Sequence, residues 1–128
     1  KKIINSILGG KYKDYKINPD FPIEYRIYPT KSKGMNWHID KSLFKPDCLE
    51  LVLTIVNTSD SKFKWITDNG HKNIIPNENT LAIVMPGTDE HSVTNVNKGY
   101  RTILKFIVQK EKSIPNSDFD YEIKSCPI

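Results

Sequence analysis

Two histidines and an aspartate stand out by type and spacing. They occur in Trp37-His38-Ile39-Asp40 and, 51 residues after Asp40, in Glu90-His91-Ser92. On an extended strand residues i and i+2 point to the same side, so His38 and Asp40 enter one space. If His91 opens a later strand on a facing sheet, all three side chains converge. Two imidazoles and one carboxylate on one face of an octahedron leave three open positions. That donor set suits non-haem Fe(II) oxygen chemistry, with one position for O2 and two for a bidentate co-substrate. A His-x-Asp triplet alone is weak, since a surface histidine beside an acid is commonplace. The distal histidine gives it specificity.

A basic residue adds to this. Arg101 lies ten positions after His91 in the run Tyr100-Arg101-Thr102-Ile103-Leu104-Lys105-Phe106-Ile107. Its planar fork matches a carboxylate bidentately. The plain alternative is an arginine at a strand edge in water. In so apolar a strand, however, a guanidinium needs an anionic partner. Lys105 shares the Arg101 face by the two-residue period and could assist the same anion or reach solvent.

The chain at this point resembles the Fe(II)/2-oxoglutarate dioxygenases built on a double-stranded β-helix, particularly their prolyl-hydroxylase-like branch. The matching words are Tyr28-Pro29, Gly34, His38-Ile39-Asp40, Pro86-Gly87, His91 and Arg101, and they span most of the chain from about residue 23 to 108. The resemblance implies iron on His38, Asp40 and His91, with the distal carboxylate of 2-oxoglutarate on Arg101. It also implies a hydrogen bond to that carboxylate from Tyr28, which holds the place ten residues before the first iron histidine. The implied activity consumes 2-oxoglutarate and O2 and hydroxylates a C–H bond, with a prolyl or similar protein side chain as the expected substrate. A nucleic-acid or small-molecule oxygenase of the same superfamily, or a cupin-like binding module without turnover, is the alternative. Nucleic-acid demethylases typically carry an Arg-x-Asn-x-x-x-Arg string. Here its later polar positions are Ile103 and Ile107, which points away from them. The family's Gly-Gly-x-Leu stretch is replaced by Ser61-Lys62-Phe63-Lys64-Trp65.

The elements that must position these residues are mostly strands. Alternating or continuous apolar runs cover residues 23–28, 37–40, 49–57, 62–67, 71–75, 81–85, 91–96 and 100–109. Asp68-Asn69-Gly70, Pro86-Gly87 and Asn97-Lys98-Gly99 mark turns between them. About eight short strands at roughly 8–12-residue spacing predict an all-β jelly roll, a double-stranded β-helix. Ile3, Ile4, Ile7 and Leu8 predict one short N-terminal helix ended by Gly9-Gly10. No linker divides the 128 residues, so a single oxygenase domain over 1–128 is expected. The chain opens on Lys1 rather than Met, and upstream residues could be missing.

The remaining signals are plainer. A net charge of +4 comes from scattered lysines, which suits a solvated surface better than a nucleic-acid patch. No apolar run approaches the roughly 20 residues that span a bilayer, and no signal-peptide pattern opens the chain. A cytoplasmic setting is the default expectation. Cys48 and Cys126 lack metal-ligand spacing and are expected as free thiols. His71 reads as a surface turn histidine and Trp37 as a core or rim aromatic. Phe63 and Trp65 share a strand face that could border a substrate mouth. Asn36, Thr54 and Ser92 are polar candidates for the barrel interior. Glu90 could orient His91 as an acceptor.

Overall fold

The computed structural model describes residues 14–17, 23–42, 44–45, 48–110 and 114–115. The predicted helix over residues 3–8, Cys126 and most of the tail lie outside the described residues. Within them the chain is strand throughout: β1 (Tyr15–Ile17), β2 (Glu24–Tyr28), β3 (Met35–Ile39), β4 (Phe44–Lys45), β5 (Cys48–Asn57), β6 (Phe63–Thr67), β7 (Gly70–Ile74), β8 (Leu81–Val84), β9 (Glu90–Val93), β10 (Arg101–Lys110) and β11 (Ile114–Pro115). The turns fall where glycine and proline were expected to place them. Gly70 sits at φ +104°, as the β6–β7 hairpin demands.

Two antiparallel sheets face each other. The larger runs β1-β10-β5-β8, with β2 also paired to β10, and the smaller runs β3-β9-β6-β7. β4 pairs with β11 apart from both. This is the two-sheet arrangement that the strand spacing predicts. β5 and β10 form the spine of the larger sheet, and their period-2 alternation separates two environments. One face buries Leu49, Leu51 and Val108 with Tyr15, and Leu81 and Phe106 pack against that cluster. The other face carries Glu50, Val52, Thr54, Arg101, Ile103 and Lys105 into a cavity of about 90 Å³ between the sheets. The apolar cluster thus lies behind the larger sheet, and the cavity in front of it sets charged side chains among apolar ones such as Val52, Val84 and Ile103.

Two irregularities set the register of the functional strands. In the smaller sheet Met35 pairs with Val93 and His38 with His91, so β3 carries one residue more than β9 over that interval. An odd interval on a regular strand would put Met35 and His38 on opposite faces. The bulge lets both point inward. In the larger sheet Thr102 pairs with Val56 and Ile103 with Thr54, which leaves Ile55 as an extra residue on β5.

Two glycines allow close backbone approach beside these strands. A Cβ on Gly34, just before β3, would lie 1.9 Å from the Val93 carbonyl oxygen. Gly34 also donates its N–H to Asn95 Oδ1 at 2.8 Å. Gly99, at φ +69°, lets the chain pass the Thr58 carbonyl, where a Cβ would stand 2.2 Å away, two residues before Arg101. Backbone contacts so short cannot be relieved by a rotamer change. Gly34→Ala should therefore destabilise the fold by about 1–3 kcal/mol in urea unfolding, whereas Lys33→Ala, on an exposed neighbour, should stay within about 0.5 kcal/mol. A parental midpoint for Gly34→Ala would show that the β3–β9 approach is not fixed by this residue.

Candidate metal centre and anion pocket

His38 and His91 are direct cross-strand partners on β3 and β9. They share the smaller sheet, which corrects the expectation that His91 comes from a facing one. Convergence arises from register within one sheet, with ring centroids 4.3 Å apart. Asp40 follows the end of β3. Its Oδ1 lies 3.4 Å from His38 Nε2 and its Oδ2 lies 3.4 Å from His91 Nε2. The three donor atoms all fall within 4.8 Å of one another.

The other ring nitrogens decide what faces the centre. His38 Nδ1 lies 2.7 Å from the Asn36 carbonyl oxygen, inside the β3 bulge. His91 Nδ1 lies 3.0 Å from the Asp89 carbonyl oxygen. A carbonyl only accepts, so each Nδ1 must carry the proton and donate it. In neutral imidazoles that leaves both Nε2 lone pairs directed at a carboxylate. Asp40 Oδ2 is buried and accepts no hydrogen bond. Three bases aimed at one point repel unless a cation or added protons lie between them. Ligands at right angles on bonds of about 2.1 Å stand about 3 Å apart, close to the His–Asp separations here. The donor set therefore fits a divalent first-row metal held by His38, Asp40 and His91.

A short turn steadies this cluster through Asp89, a residue that sequence reasoning missed. Gly87 N–H donates to the Asp40 carbonyl at 2.7 Å. Asp89 Oδ2 accepts from Met85 N–H at 2.8 Å, closing the turn, while the Asp89 carbonyl holds the His91 ring. The orienting role considered for Glu90 thus belongs to the main chain of its neighbour. Pro86-Gly87 marked the turn, and an acid two residues later, able to cap it, was the available signal.

Arg101 and Tyr28 are brought together as register partners on β10 and β2. The guanidinium carbon sits 5.1 Å from the Tyr28 ring centroid. Arg101 is only 7% exposed, and its Nε is buried without a hydrogen-bond partner. Burial holds it below the ordinary guanidinium range, with Tyr28 pulling the other way. It opens on the same cavity as His91, Met35 and Thr54. Among the described residues no carboxylate pairs with it.

The other inward cations each have a carboxylate within ion-pair distance, although Arg26 Nε, too, is buried without a hydrogen-bond partner. Lys105 Nζ lies 3.0 Å from Glu50 Oε1, and Arg26 Nη2 lies 2.5 Å from Glu24 Oε2. Burial works against the Lys105 charge, but Glu50, with Glu24 and Asp40 adding to it, holds the ammonium above its usual range. Glu50 is itself pushed up by burial, against the pull of Lys105, and the Asp40 carboxylate adds to the push. The Asp40 carboxylate that lifts Glu50 also favours a charged lysine. Lys105 is thus paired with Glu50.

A cleft of about 290 Å³ lies on the other side of His91, lined by Phe63, Trp65, Ile66, Ile74 and Asp89 among others. The Phe63 ring is 5.7 Å from His91 and 5.8 Å from Trp65, so both aromatics do border a mouth. Trp37 instead touches His71 at 5.0 Å, and His71 is exposed on β7, apart from the triad.

Three solved structures resemble this geometry as a whole. The nickel complex of the non-haem monooxygenase ThoJ matches with a TM-score of 0.64 and 9% identity, covering 89% of this chain and 51% of its own. Its apo form gives 0.64 and 10%, covering 89% and 52%. A prolyl-4-hydroxylase from Pseudomonas putida gives 0.61 and 17%, covering 88% and 60%. The chain shares the jelly-roll fold of these oxygenases. It spans between half and three-fifths of their lengths. Neither a protein-family model nor a curated protein matches the sequence.

Metal binding follows from the lone-pair argument. His38→Ala and His91→Ala should each abolish stoichiometric Mn(II) binding, followed by electron paramagnetic resonance. Asp89→Ala should keep the site but weaken it by about tenfold, because the turn that presents the Asp89 carbonyl loses its clasp. A histidine variant that retains full stoichiometry would remove that residue from the ligand set.

Proposed function

We propose that this chain is an Fe(II)- and 2-oxoglutarate-dependent dioxygenase that hydroxylates a C–H bond, with a prolyl or similar protein side chain as substrate. The observation that carries the reading is Arg101, a buried guanidinium with no carboxylate among the described residues, opening on the same cavity as His91 of the triad. A dicarboxylate placed there supplies the missing anion at one end and reaches toward the His–Asp–His cluster with the other. The shared fold and the donor set support the same reading.

The overall reaction balances as R–H + 2-oxoglutarate + O2 → R–OH + succinate + CO2. One oxygen atom enters succinate and the other enters the substrate. Fe(II), held by His38, Asp40 and His91, supplies the oxygen-activating chemistry. The chain's own residues bind and orient. The Asn36 and Asp89 carbonyls fix the two rings, and Gly87 N–H holds the backbone at Asp40. Arg101 offers its fork to the distal carboxylate, with the Tyr28 hydroxyl as a second donor. Arg101 is itself buried, so that charge-assisted bond is strong.

The measurement is a 2-oxoglutarate titration into Mn(II)-loaded protein. A charge-assisted bond contributes about 1.5–3 kcal/mol, so Arg101→Ala should raise the dissociation constant by roughly ten- to a hundredfold while sparing Mn(II). Arg101→Lys should recover part of this, because an ammonium lacks the fork. Tyr28→Phe should cost less, about 0.5–1.5 kcal/mol. Parental affinity in Arg101→Ala would place the carboxylate elsewhere. Succinate formation in the presence of peptide pools, with one added oxygen atom seen by mass spectrometry, tests turnover itself.

A further inference from the structure

The larger sheet ends at β8 and the smaller at β7, and the cleft beside His91 lies between these two strands. Among the described residues β8 pairs only with β5. Thr54 N–H donates to the Thr80 carbonyl at 2.9 Å, and Val52 is the register partner of Ala82. In an antiparallel ladder the bonding direction alternates residue by residue. The Thr80 carbonyl and the main-chain groups of Ala82 therefore turn toward β5, and Leu81 and Ile83 turn theirs outward. Both outward residues line the cleft. We propose that this cleft binds substrate as an extended peptide, added as one more antiparallel or parallel strand on β8, with an apolar side chain directed at His91.

Three features select this occupant. A free strand edge recognises an extended backbone through alternating N–H and C=O groups, which a peptide has and a nucleic acid or small metabolite lacks. The walls are apolar (Phe63, Trp65, Ile66 and Ile74), and among the described residues the one carboxylate or cationic side chain lining the cleft is the Asp89 carboxylate. That charge disfavours a phosphate backbone and accepts a neutral or basic peptide. The inward residues of β8 are small, Thr80, Ala82 and Val84. A strand set about 4.8 Å beyond β8 therefore has room to send every second side chain between the sheets. The catalytic use of this docking rests on the oxygenase reading, whereas the docking itself does not.

The probe is a phage-displayed library of random dodecapeptides, selected on Mn(II)- and 2-oxoglutarate-loaded protein. Enriched peptides should carry apolar centres, and their synthetic forms should protect the Leu81 and Ile83 amides from hydrogen exchange. Methylating the peptide's alternate backbone nitrogens should weaken binding by about tenfold or more, and methylating the intervening ones should have little effect. Ile83→Pro, which removes an outward N–H and spares the β5 ladder, should do the same while leaving Mn(II) and 2-oxoglutarate titrations unchanged. The methylated peptides make the test independent of how that variant folds. Failure to enrich any peptide, equal loss from either methylation set, or oligothymidine binding that protects the same two amides would overturn the proposal. Failure of the Mn(II) and 2-oxoglutarate titrations on the parent would instead strike the oxygenase reading.

Discussion

The lone pairs of His38 and His91 face the Asp40 carboxylate across 3.4 Å contacts, and each imidazole has already given its other N–H to a main-chain carbonyl. Neither ring can relax by exchanging tautomers without leaving a carbonyl unpaired. The bulge in β3, the close passage at Gly34 and the turn closed by Asp89 all hold this arrangement in place. A fold that spends so much local geometry on crowding three bases gains stability from any cation that fits among them, by simple linkage. An ion held there would therefore support the smaller sheet that shapes its site.

Across the cavity the larger sheet sorts its charges. Three cations project inward from β2 and β10, and two of them meet a carboxylate within ion-pair distance, Glu24 for Arg26 and Glu50 for Lys105. Removing either acid would leave a second inward cation without a carboxylate among the described residues. Arginine at the unpaired position is suited to the role, since its planar fork distinguishes a carboxylate from a single-point anion. Tyr28, directly across the ladder, covers the guanidinium face and leaves its edge toward the cavity.

Much of this was legible in the sequence. The long strands follow from period-2 apolar runs and their Gly and Pro boundaries, the triad and Arg101 stand out by residue type and spacing, and Tyr28 came only from the family resemblance. The short strands Tyr15–Ile17, Phe44–Lys45 and Ile114–Pro115 were not legible, because two or three residues carry no period. The shared sheet of His38 and His91 was hidden by the bulge, since pairing register is a tertiary property and one inserted residue changes every face beyond it. The pairing of Lys105 with Glu50 was hidden for a similar reason. The two residues lie 55 positions apart and meet only when β5 and β10 pair. Asp89 escaped notice because its carbonyl, which any residue possesses, touches the histidine.

The gap between β7 and β8 has a colloidal consequence. An unpaired edge with apolar flanks is a template for any strand, including one from another copy of the chain. Ile74, Ile75, Ile83 and Met85 are each at least 40% exposed around this opening. The sequence keeps the hazard small by truncation. β8 has only four residues and meets Pro86 two positions later, and β7 carries Lys72 and stops ahead of Pro76. Such an edge is too short, and too closely bracketed by residues that cannot donate, for stacked sheets to grow from it. Lengthening β8 by replacing Pro86 with a β-branched residue would trade solubility for reach.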